Sequence, residues 1–457
     1  MLYHLFEYLK EFVDFPGIGL FRYISVRSVA SVVIALLVTI TMGKFIIAKL
    51  KKHQVTDHNI KIGDTANGKS GTPTMGGIII IVALLIPVLL LCNLTNIYVQ
   101  LLIVSTLWLA FIGLLDDLLK LRRKAGKGDN KFVRLLGKFQ RKDKDGMKGQ
   151  LKIIGQVGLG LIVGLSLYFS DEAVICEIMP GPAEDARTEI VDNRPHYVKH
   201  VKSTKTTIPF LKDNLFDYSW LSPVKGETGA KIGWVIYILV AIFIVTFVSN
   251  GTNLTDGRDG LATGTVAIVG VTLGVLAYLS GHIVYAKYLN IMYIPNSGEM
   301  VVFMSGFIGA LIGFLWYNTY PAQVFMGDVG SLTLGGIIAV FALIIRVELL
   351  LLILCGIFLA ESASVIIQRF WYRRTRIRAT KALKKEGRYH KGDVVAGERV
   401  FVRAPLHDHF IYNRADVPGK ILLKKPKDPT AEPKVVVRFW IISILLAVLT
   451  IITLKIR

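Results

Sequence analysis

Cysteine is scarce in this sequence, with three residues in a chain of 457. Cys92, Cys176 and Cys355 are far apart and match no metal-ligand spacing, so the sequence indicates neither a disulfide framework nor a zinc–cysteine site. Cys92 and Cys355 lie inside apolar runs, and we expect all three thiols to be unpaired.

Negative charge is also in deficit, because 54 Lys and Arg residues stand against 33 Asp and Glu residues. A net charge of +21 would favour nucleic-acid binding in a soluble chain. This chain is not of that class, since 53% of its residues are hydrophobic, its mean hydropathy is +0.52, and its apolar residues come in bilayer-length blocks. We therefore expect the basic residues to set membrane topology and meet anionic lipid, with no nucleic-acid partner.

The apolar blocks predict an all-α, polytopic membrane protein with about ten transmembrane helices in a single membrane-embedded domain, 1–457. The glycine-rich span and the short span before it are the weakest of the ten. The predicted spans are 25–49, 75–93, 97–118, 152–170, 232–250, 260–280, 301–316, 330–346, 349–370 and 437–455.

The charges of the loops predict the orientation of these spans. Residues 118–152 contain 13 Lys and Arg against 3 Asp and Glu, and residues 371–436 contain 17 against 7. Segment 171–230 has the opposite balance, 7 against 10. By the positive-inside rule, 371–436 is a basic cytoplasmic loop, 171–230 is an external insertion, and both termini are external.

Two adjacent carboxylates, Asp116 and Asp117, end the third span in the sequence FIGLLDDLLK. An acid at membrane depth costs about 2.5–3.5 kcal/mol on insertion scales, so such residues usually have a function. The alternative is ordinary solvation at the end of a helix.

The connection after the fifth span reads NGTNLTDGRDG and places Asn253, Asp256 and Asp259 at a spacing of three. That spacing predicts one face of a helical turn, with glycines that permit close backbone approach. A plain polar turn that caps the sixth span is the alternative. Three carboxyl or amide groups in register are more than a cap needs, so we favour a functional turn.

The connection before the eighth span holds Asp328 between two glycines, and a helix that starts there would offer free N–H groups to a phosphate. Phe325 is suited to stacking on a base, or to interfacial packing. Asn318 could bind a nucleobase or sugar edge, or cap a turn.

Two further polar stretches are weaker signals. NGKSGTPTMGG around Lys69 and Thr74 resembles a phosphate cradle in composition but lacks P-loop spacing. His407 and His409 in RAPLHDHF have no cysteine beside them and do not match a zinc-helix pattern. Alternate histidines in a loop are more often solvated than functional.

All of these groups lie on connections or helix ends that the loop charges assign to the cytoplasm, so one cytoplasmic cleft could collect them. Carboxylates without cysteine suit Mg²⁺, which takes one or two protein carboxylates and completes its shell with water and substrate phosphates. The sequence therefore predicts a magnesium site for a diphosphate substrate.

Four motifs, FIGLLDDLLK, NLTDGRDGLA, FMGDVGSL and PLHDHF, occur in this order on about ten spans. In this combination the sequence resembles the polyprenyl-phosphate phosphosugar transferases over nearly the whole chain outside 171–230. The histidine loop and VVVRFW at 435–440 are similar to the branch that uses UDP-N-acetylmuramoyl-pentapeptide. The resemblance implies Mg²⁺-dependent transfer of that phosphosugar to undecaprenyl phosphate in the bacterial cytoplasmic membrane, giving UMP and lipid I, and suggests a homodimer.

The resemblance also implies roles for single residues. Asp116 matches the acid proposed to deprotonate the lipid phosphate, Asp117 lies beside it, and Asp328 matches the magnesium ligand. A covalent phospho-enzyme formed on the acid pair is the alternative to its action as a base. The usual central histidine of a triple-histidine motif is Asp408 here. The matched donor-site positions are Asn253, Asp256 and Asp259 as a polar wall, Phe325 for uracil stacking, Lys69, Lys152 and Asn318 as polar contacts, and the outer histidines, His407 and His409.

Two alternatives differ from this interpretation. A relative that uses UDP-N-acetylglucosamine would share most of the motifs. An ion-coupled transporter would carry acids through the membrane depth on several spans, whereas here they are concentrated at helix ends.

Overall fold

The computed structural model describes most of the chain, including every predicted site residue except Lys69. The described residues are 18–52, 71–125, 149–179, 181, 187–191, 194–390, 393, 395–413, 417, 420–423 and 428–455.

Helices dominate this part of the chain because an apolar block in a bilayer must satisfy its backbone hydrogen bonds internally. Four short 3₁₀ segments, Ile18–Arg22, Lys212–Asn214, Tyr218–Leu221 and Glu348–Leu350, connect longer elements. The α-helices are α1 (Ile24–Lys52), α2 (Gly77–Leu91), α3 (Ile97–Ala125), α4 (Gly149–Phe169), α5 (Glu227–Thr255), α6 (Leu261–Ser280), α7 (Ile283–Leu289), α8 (Gly298–Asn318), α9 (Gly327–Ile344), α10 (Leu351–Leu354), α11 (Gly356–Lys385), α12 (Leu406–Ile411) and α13 (Glu432–Thr453).

Each of the ten predicted spans coincides with helix in the structure. Among the described residues, eight helices are long and apolar enough to cross a membrane, or nine if a bent pair counts as one span. Helix α2 is apolar but has 15 residues, fewer than a straight crossing needs. The chain is therefore a mostly helical membrane protein, while the count of ten and the external termini stay predictions.

Helix α9 lies at the centre of the bundle, with 89% of its apolar window buried. Its glycines allow this position. A Cβ at Gly335 would lie 2.6 Å from Cα of Ser249 on α5, and a Cβ at Gly330 would lie 2.9 Å from Cα of Gly77 on α2. The glycine content that weakened the sequence prediction of this span thus serves close packing between helices.

The ninth predicted span is bent. Glu348–Leu354 and Gly356–Lys385 meet at an angle of 74°, and α11 continues past the predicted end at residue 370 to Lys385. The predicted basic loop 371–436 is therefore not a simple loop, because it begins with helix and also contains α12. The exposed basic residues between positions 373 and 385 lie on this helical extension.

The predicted external insertion contains two small antiparallel sheets, so the all-α prediction was incomplete. Strands β1 (Ile175–Met179), β2 (Arg187–Val191) and β3 (Arg194–Val201) pair in the order β1-β3-β2, and β4 (Lys205–Thr207) pairs with β5 (Leu215–Asp217). These strands have three to eight residues, fewer than a transmembrane strand needs.

Several hydrogen bonds attach the insertion to one end of the bundle, and two of them reach the ends of predicted spans. The Thr207 N–H donates to the Arg346 carbonyl at 2.9 Å, just past the end of α9. The Asn214 Nδ2 donates to the Leu454 carbonyl at 2.7 Å, at the end of α13. Asp328 lies at the beginning of α9, so the insertion and the acidic residues occupy opposite ends of the bundle.

Candidate active site

Three carboxylates from two helices meet at one end of the bundle. Asp116 and Asp117 lie on α3 and Asp328 in the first turn of α9, and one oxygen of each lies within 4.8 Å of the others. Gly113 makes this approach possible, since a Cβ there would lie 2.4 Å from the backbone oxygen of Asp328. Asp116 and Asp117 are buried, while Asp328 is partly exposed. The structure thus joins two motifs that the sequence places far apart.

Asp117 also caps the beginning of α9. The Val329 N–H donates to Asp117 Oδ2 at 3.1 Å. A carboxylate at a helix N-terminus is stabilised by the helix dipole. Gly327 precedes this turn with φ +72°, and a Cβ there would lie 2.7 Å from the same carboxylate oxygen. The sequence predicted a helix start at Asp328 with N–H groups free for a phosphate. In the structure the Val329 N–H of this first turn donates to Asp117 instead.

Two lysines neutralise the three acids. Lys120 Nζ lies 2.8 Å from Asp116, 3.3 Å from Asp117 and 3.0 Å from Asp328. Lys152, from the first turn of α4, lies 2.8 Å from Asp116 and also binds Asp328. Buried carboxylates need such partners, because leaving one charge unpaired costs several kcal/mol. The two side chains are partly exposed, 37% for Lys120 and 19% for Lys152.

Asn253 joins the next motif to this cluster. Its Nδ2 donates to Asp328 Oδ1 at 2.9 Å and to Ser331 Oγ at 2.8 Å. Helix α5 ends at Thr255, so Asp256 is its C-cap and Asp259 lies in the turn that leads to left-handed Gly260. The predicted helical face is therefore wrong for Asp259, because the glycine-rich sequence ends the helix first.

Asp256 and Asp259 have different surroundings. Asp259 is buried, and its Oδ2 accepts a hydrogen bond of 3.1 Å from the Ala322 N–H in the loop between α8 and α9. Asp256 is half-buried. Burial raises the pKa of Asp256 well above its usual range, and the nearby carboxylates of Asp328, Asp117 and Asp259 raise it further. A cation bound in the cluster would offset the negative charge of these neighbouring carboxylates.

Asn318 and Phe325 lie on the other side of the turn. Asn318 is buried, and its Oδ1 accepts from the Gly260 N–H at 3.2 Å and from Thr263 Oγ1 at 2.9 Å. Its Nδ2 donates to the Val324 carbonyl at 3.0 Å. Asn318 thus holds the turn against the α8–α9 loop, and its predicted substrate contact stays a prediction. Phe325 is half-buried at the end of that loop.

The segment before α2 borders the same loop. The Phe325 N–H donates to the Pro73 carbonyl at 2.8 Å, and the Gly76 N–H donates back to the Phe325 carbonyl at 2.8 Å. Thr74 is half-buried between these contacts, so it lies beside Phe325 as the predicted site requires. Lys69 lies outside the described residues, and its contact stays a prediction.

The two histidines are buried, so the expectation that they are solvated is wrong. His407 Nδ1 lies 3.2 Å from Glu361 Oε1, and a Cβ at Gly257 would lie 2.5 Å from His407 Nε2. His409 Nδ1 accepts from the Val402 N–H at 3.1 Å. Helix α12 thus places His407 against Gly257 of the Asn253–Asp259 turn. His409 instead binds the backbone of Val402, in the segment before α12.

Several site residues were missed by reasoning from the sequence. Lys120 was counted as loop charge, although its position one helical turn after Asp116 was a signal that it could pair with that acid. Gly113, Arg258 and Glu361 gave no local signal, because their importance depends on contacts across the fold. Glu361 is fully buried on α11, where it meets His407.

The carboxylate cluster fits a divalent cation. Three carboxylates with one oxygen each inside 4.8 Å supply hard ligands without any thiol, a set that suits Mg²⁺. Asp328 would be the principal ligand there, because it is the most exposed of the three acids.

An apolar groove with a volume of about 170 Å³ runs between α5 and the bent helix pair. Phe243, Phe247, Leu352, Leu359 and Ile366 contribute to its lining, which is almost entirely apolar. Helix α5 continues from this groove to Asn253, so the groove and the acidic cluster share one helix.

Comparison with known sequences agrees with these motifs. The family described as glycosyl transferase family 4 matches residues 181–346, which contain the Asn253–Asp259 turn and Asp328. The phospho-N-acetylmuramoyl-pentapeptide-transferase signature 1 matches residues 69–81, which precede and begin α2.

Full-length relatives are more specific. The phospho-N-acetylmuramoyl-pentapeptide-transferase of Phocaeicola vulgatus is 51% identical over 461 residues, that of Bacteroides fragilis is 50% identical over 461, and that of Porphyromonas gingivalis is 47% identical over 463. Each comparison covers 100% of this chain and 100% of the relative.

The helical bundle, its acidic cluster and the family match define a membrane-embedded glycosyl-phosphate transferase. At this identity and coverage the chain belongs to the phospho-N-acetylmuramoyl-pentapeptide transferases, enzymes of peptidoglycan synthesis. This membership argues against the alternative of an ion-coupled transporter.

Proposed function

We propose that the protein transfers phospho-N-acetylmuramoyl-pentapeptide from its UDP carrier to undecaprenyl phosphate, with Mg²⁺, and releases UMP and lipid I. The observation that carries the proposal is the cluster of Asp116, Asp117 and Asp328 with Lys120 and Lys152. The reaction takes place at the cytoplasmic face of the bacterial cytoplasmic membrane, where the loop charges put this end of the bundle.

The reaction exchanges one phosphorus–oxygen bond for another. An oxygen of the lipid phosphate bonds to the sugar-bound phosphorus of the donor, and the bond from that phosphorus to the bridging oxygen breaks. UMP leaves with that oxygen. Mg²⁺ bound through Asp328 would supply charge neutralisation at the diphosphate.

The chain's own residues hold the reacting groups. Asp116 takes the proton from the lipid phosphate, with Asp117 held beside it by its hydrogen bond to Val329. Lys120 and Lys152 exchange their carboxylate contacts for phosphate oxygens and offset the charge that develops on the leaving group. Asn253 keeps Asp328 oriented during this exchange.

Donor and acceptor approach from different sides. The Asn253–Asp259 turn with Phe325 and Thr74 forms the donor side, and the uracil stacks on the Phe325 ring. The apolar groove along α5 takes the polyprenyl chain of the acceptor, because a lipid tail needs an apolar path that stays continuous with the membrane.

A donor assay tests the proposal. The purified protein in liposomes with undecaprenyl phosphate is given UDP-N-acetylmuramoyl-pentapeptide or UDP-N-acetylglucosamine, with Mg²⁺ or EDTA. We expect lipid-linked product and UMP only from the first donor and only with Mg²⁺. Product from the acetylglucosamine donor alone would overturn the choice of substrate, and full activity in EDTA would overturn the metal requirement.

A further inference from the structure

Arg258 lies inside the donor-side turn and binds carboxylates that do not belong to the acidic cluster. Its Nη2 and Nε donate to Asp408 Oδ1 at 2.5 and 3.2 Å, and its Nη1 donates to Glu432 Oε2 at 3.3 Å. The side chain is only 8% exposed. Its guanidinium also lies 5.2 Å from the centre of the Tyr412 ring. Arg258 therefore has its donors committed to protein partners and is not a free phosphate ligand.

The partners of Arg258 come from two separate elements. Asp408 lies on α12 between the two histidines, and Glu432 lies in the first turn of α13. Glu432 Oε1 also accepts from the Asp259 N–H at 3.3 Å. Arg258 and the neighbouring Asp259 N–H thus both donate hydrogen bonds to the Glu432 carboxylate. Charged hydrogen bonds therefore connect the turn to α12 and α13.

Charge balance supports this arrangement. Burial alone would lower the pKa of Arg258, but the carboxylates of Asp408 and Glu432 outweigh burial and raise that pKa. Asp408 also lies 3.6 Å from His407 Nε2. Asp408, at the central position of the histidine motif, therefore contacts Arg258, which belongs to the turn. It also contacts His407, which lies against Gly257 of the same turn.

We infer that Arg258 is a positioning residue for the donor site, and that Asp408 acts in this site as the anion that holds Arg258. This inference rests on the proposed function, because it assumes that the Asn253–Asp259 turn binds the nucleotide sugar. It assigns a role to the position where the sequence departs from the triple-histidine pattern. A histidine there could not supply a full negative charge to a guanidinium.

A double-mutant cycle tests the inference. Arg258→Gln, Asp408→Asn and the double variant are compared in liposomes for KM of the UDP-linked donor, KM of undecaprenyl phosphate, and kcat. We expect each single variant to raise the donor KM by about tenfold, because a displaced binding wall weakens binding of the ligand it contacts. The KM for undecaprenyl phosphate should stay within about twofold, since such a change is under half a kcal/mol.

The double variant gives the decisive comparison. If the two residues act through each other, the double variant should lie within about threefold of Arg258→Gln rather than show the product of both effects. A purely structural role would lower the amount of folded enzyme, seen as a lower thermal midpoint and lower Vmax, and would leave the donor KM unchanged. That result would overturn the inference, as would independent effects of the two changes.

A matched control is available in the same cytoplasmic region. Lys420 pairs with Glu398 at 3.3 Å, but its side chain is 71% exposed. Lys420→Gln should change none of the three constants, because exposed pairs contribute little. Wild-type protein without turnover on the UDP-linked donor would overturn the proposed function itself. Active wild type with unchanged Arg258→Gln kinetics would overturn the positioning role alone.

Discussion

Asn253 Nδ2 donates a hydrogen bond of 2.9 Å to Asp328 Oδ1 and joins two residues 75 positions apart in the sequence. The bond connects the last turn of α5 to the first turn of α9. An amide donor orients the Asp328 carboxylate but adds no positive charge, in contrast to Lys120 and Lys152, which also bind Asp328. The same contact places the Asn253–Asp259 turn next to the acidic cluster, so one hydrogen bond joins the proposed donor side to the proposed metal site.

Asp328→Asn should abolish Mg²⁺-dependent turnover and leave the protein folded and inserted. The amide keeps the size of the side chain but loses the charge that binds the metal. We expect activity to fall by at least about a hundredfold, because a metal contact at a reacting phosphate is worth several kcal/mol. The assay is lipid I formation across a Mg²⁺ titration. Asp171→Asn, at an exposed external position, is the control, and near-normal activity of Asp328→Asn would remove that residue from the metal site.

Gly113→Ala should move Asp116 and Asp117 on α3 away from Asp328 on α9. The added Cβ would lie 2.4 Å from the Asp328 backbone oxygen and 2.6 Å from Cα of Val329, and backbone atoms cannot move aside without shifting α9. We expect weaker Mg²⁺ activation and at least about a tenfold loss of kcat, since small displacements at a reacting centre are costly.

Gly19→Ala is the control for Gly113→Ala, because its Cβ would meet no atom within 4 Å. The midpoint of Mg²⁺ activation separates a local effect from general instability. If Gly113→Ala has wild-type Mg²⁺ dependence, the close contact of α3 with α9 does not set the geometry of the cluster.

Residue types and their spacing were sufficient to predict where the long apolar helices lie and which acidic groups end or precede them. Apolar blocks of bilayer length locate helices reliably because length and composition act locally. Asp116, Asp117 and Asp328 stood out because acids at the ends of apolar helices are costly and therefore informative. The buried thiols of Cys92, Cys176 and Cys355 are free, as predicted.

Contacts between distant segments could not be predicted in this way. Nothing local shows that Gly113 must pass the backbone of Asp328, or that Asp408 has Arg258 as its partner. The extent of the helical turn at Asn253–Asp259 was overestimated because the spacing of three was given more weight than Gly257 and Gly260. The strands of the insertion were missed because hydropathy separates membrane from water and says little about small external sheets.

Lys152→Gln should make the protein more dependent on Mg²⁺ for stability. The change removes one of the two ammonium groups that pair with Asp116 and Asp328. Without metal, the variant therefore carries more uncompensated negative charge on these carboxylates. Mg²⁺ bound at the proposed site of the folded state would restore the balance. We expect the rise in thermal midpoint on adding Mg²⁺ to exceed that of wild type by about 2–4 °C.

Lys231→Gln provides the comparison for Lys152→Gln. Lys231 pairs with Glu227 at 2.8 Å, but both side chains are largely exposed and lie at the opposite end of α5 from Asn253. Its midpoint should respond to Mg²⁺ as wild type does. An equal Mg²⁺ response in Lys152→Gln would show that Lys152 does not share the carboxylates with a metal.

Phe325→Ala should weaken nucleotide binding without affecting the lipid acceptor. The backbone of Phe325 is fixed on both sides by Pro73 and Gly76, so the ring is presented from a rigid segment. Stacking of a base on an aromatic ring is worth about 1–3 kcal/mol, so the donor KM and the inhibition constant of UMP should both rise by about tenfold. Phe325→Trp should retain most of the affinity because it keeps a flat π-face. Phe169→Ala, 70% exposed at the other end of the bundle, should change neither constant. A Phe325→Ala variant with unchanged UMP inhibition would assign the ring to packing of the α8–α9 loop instead.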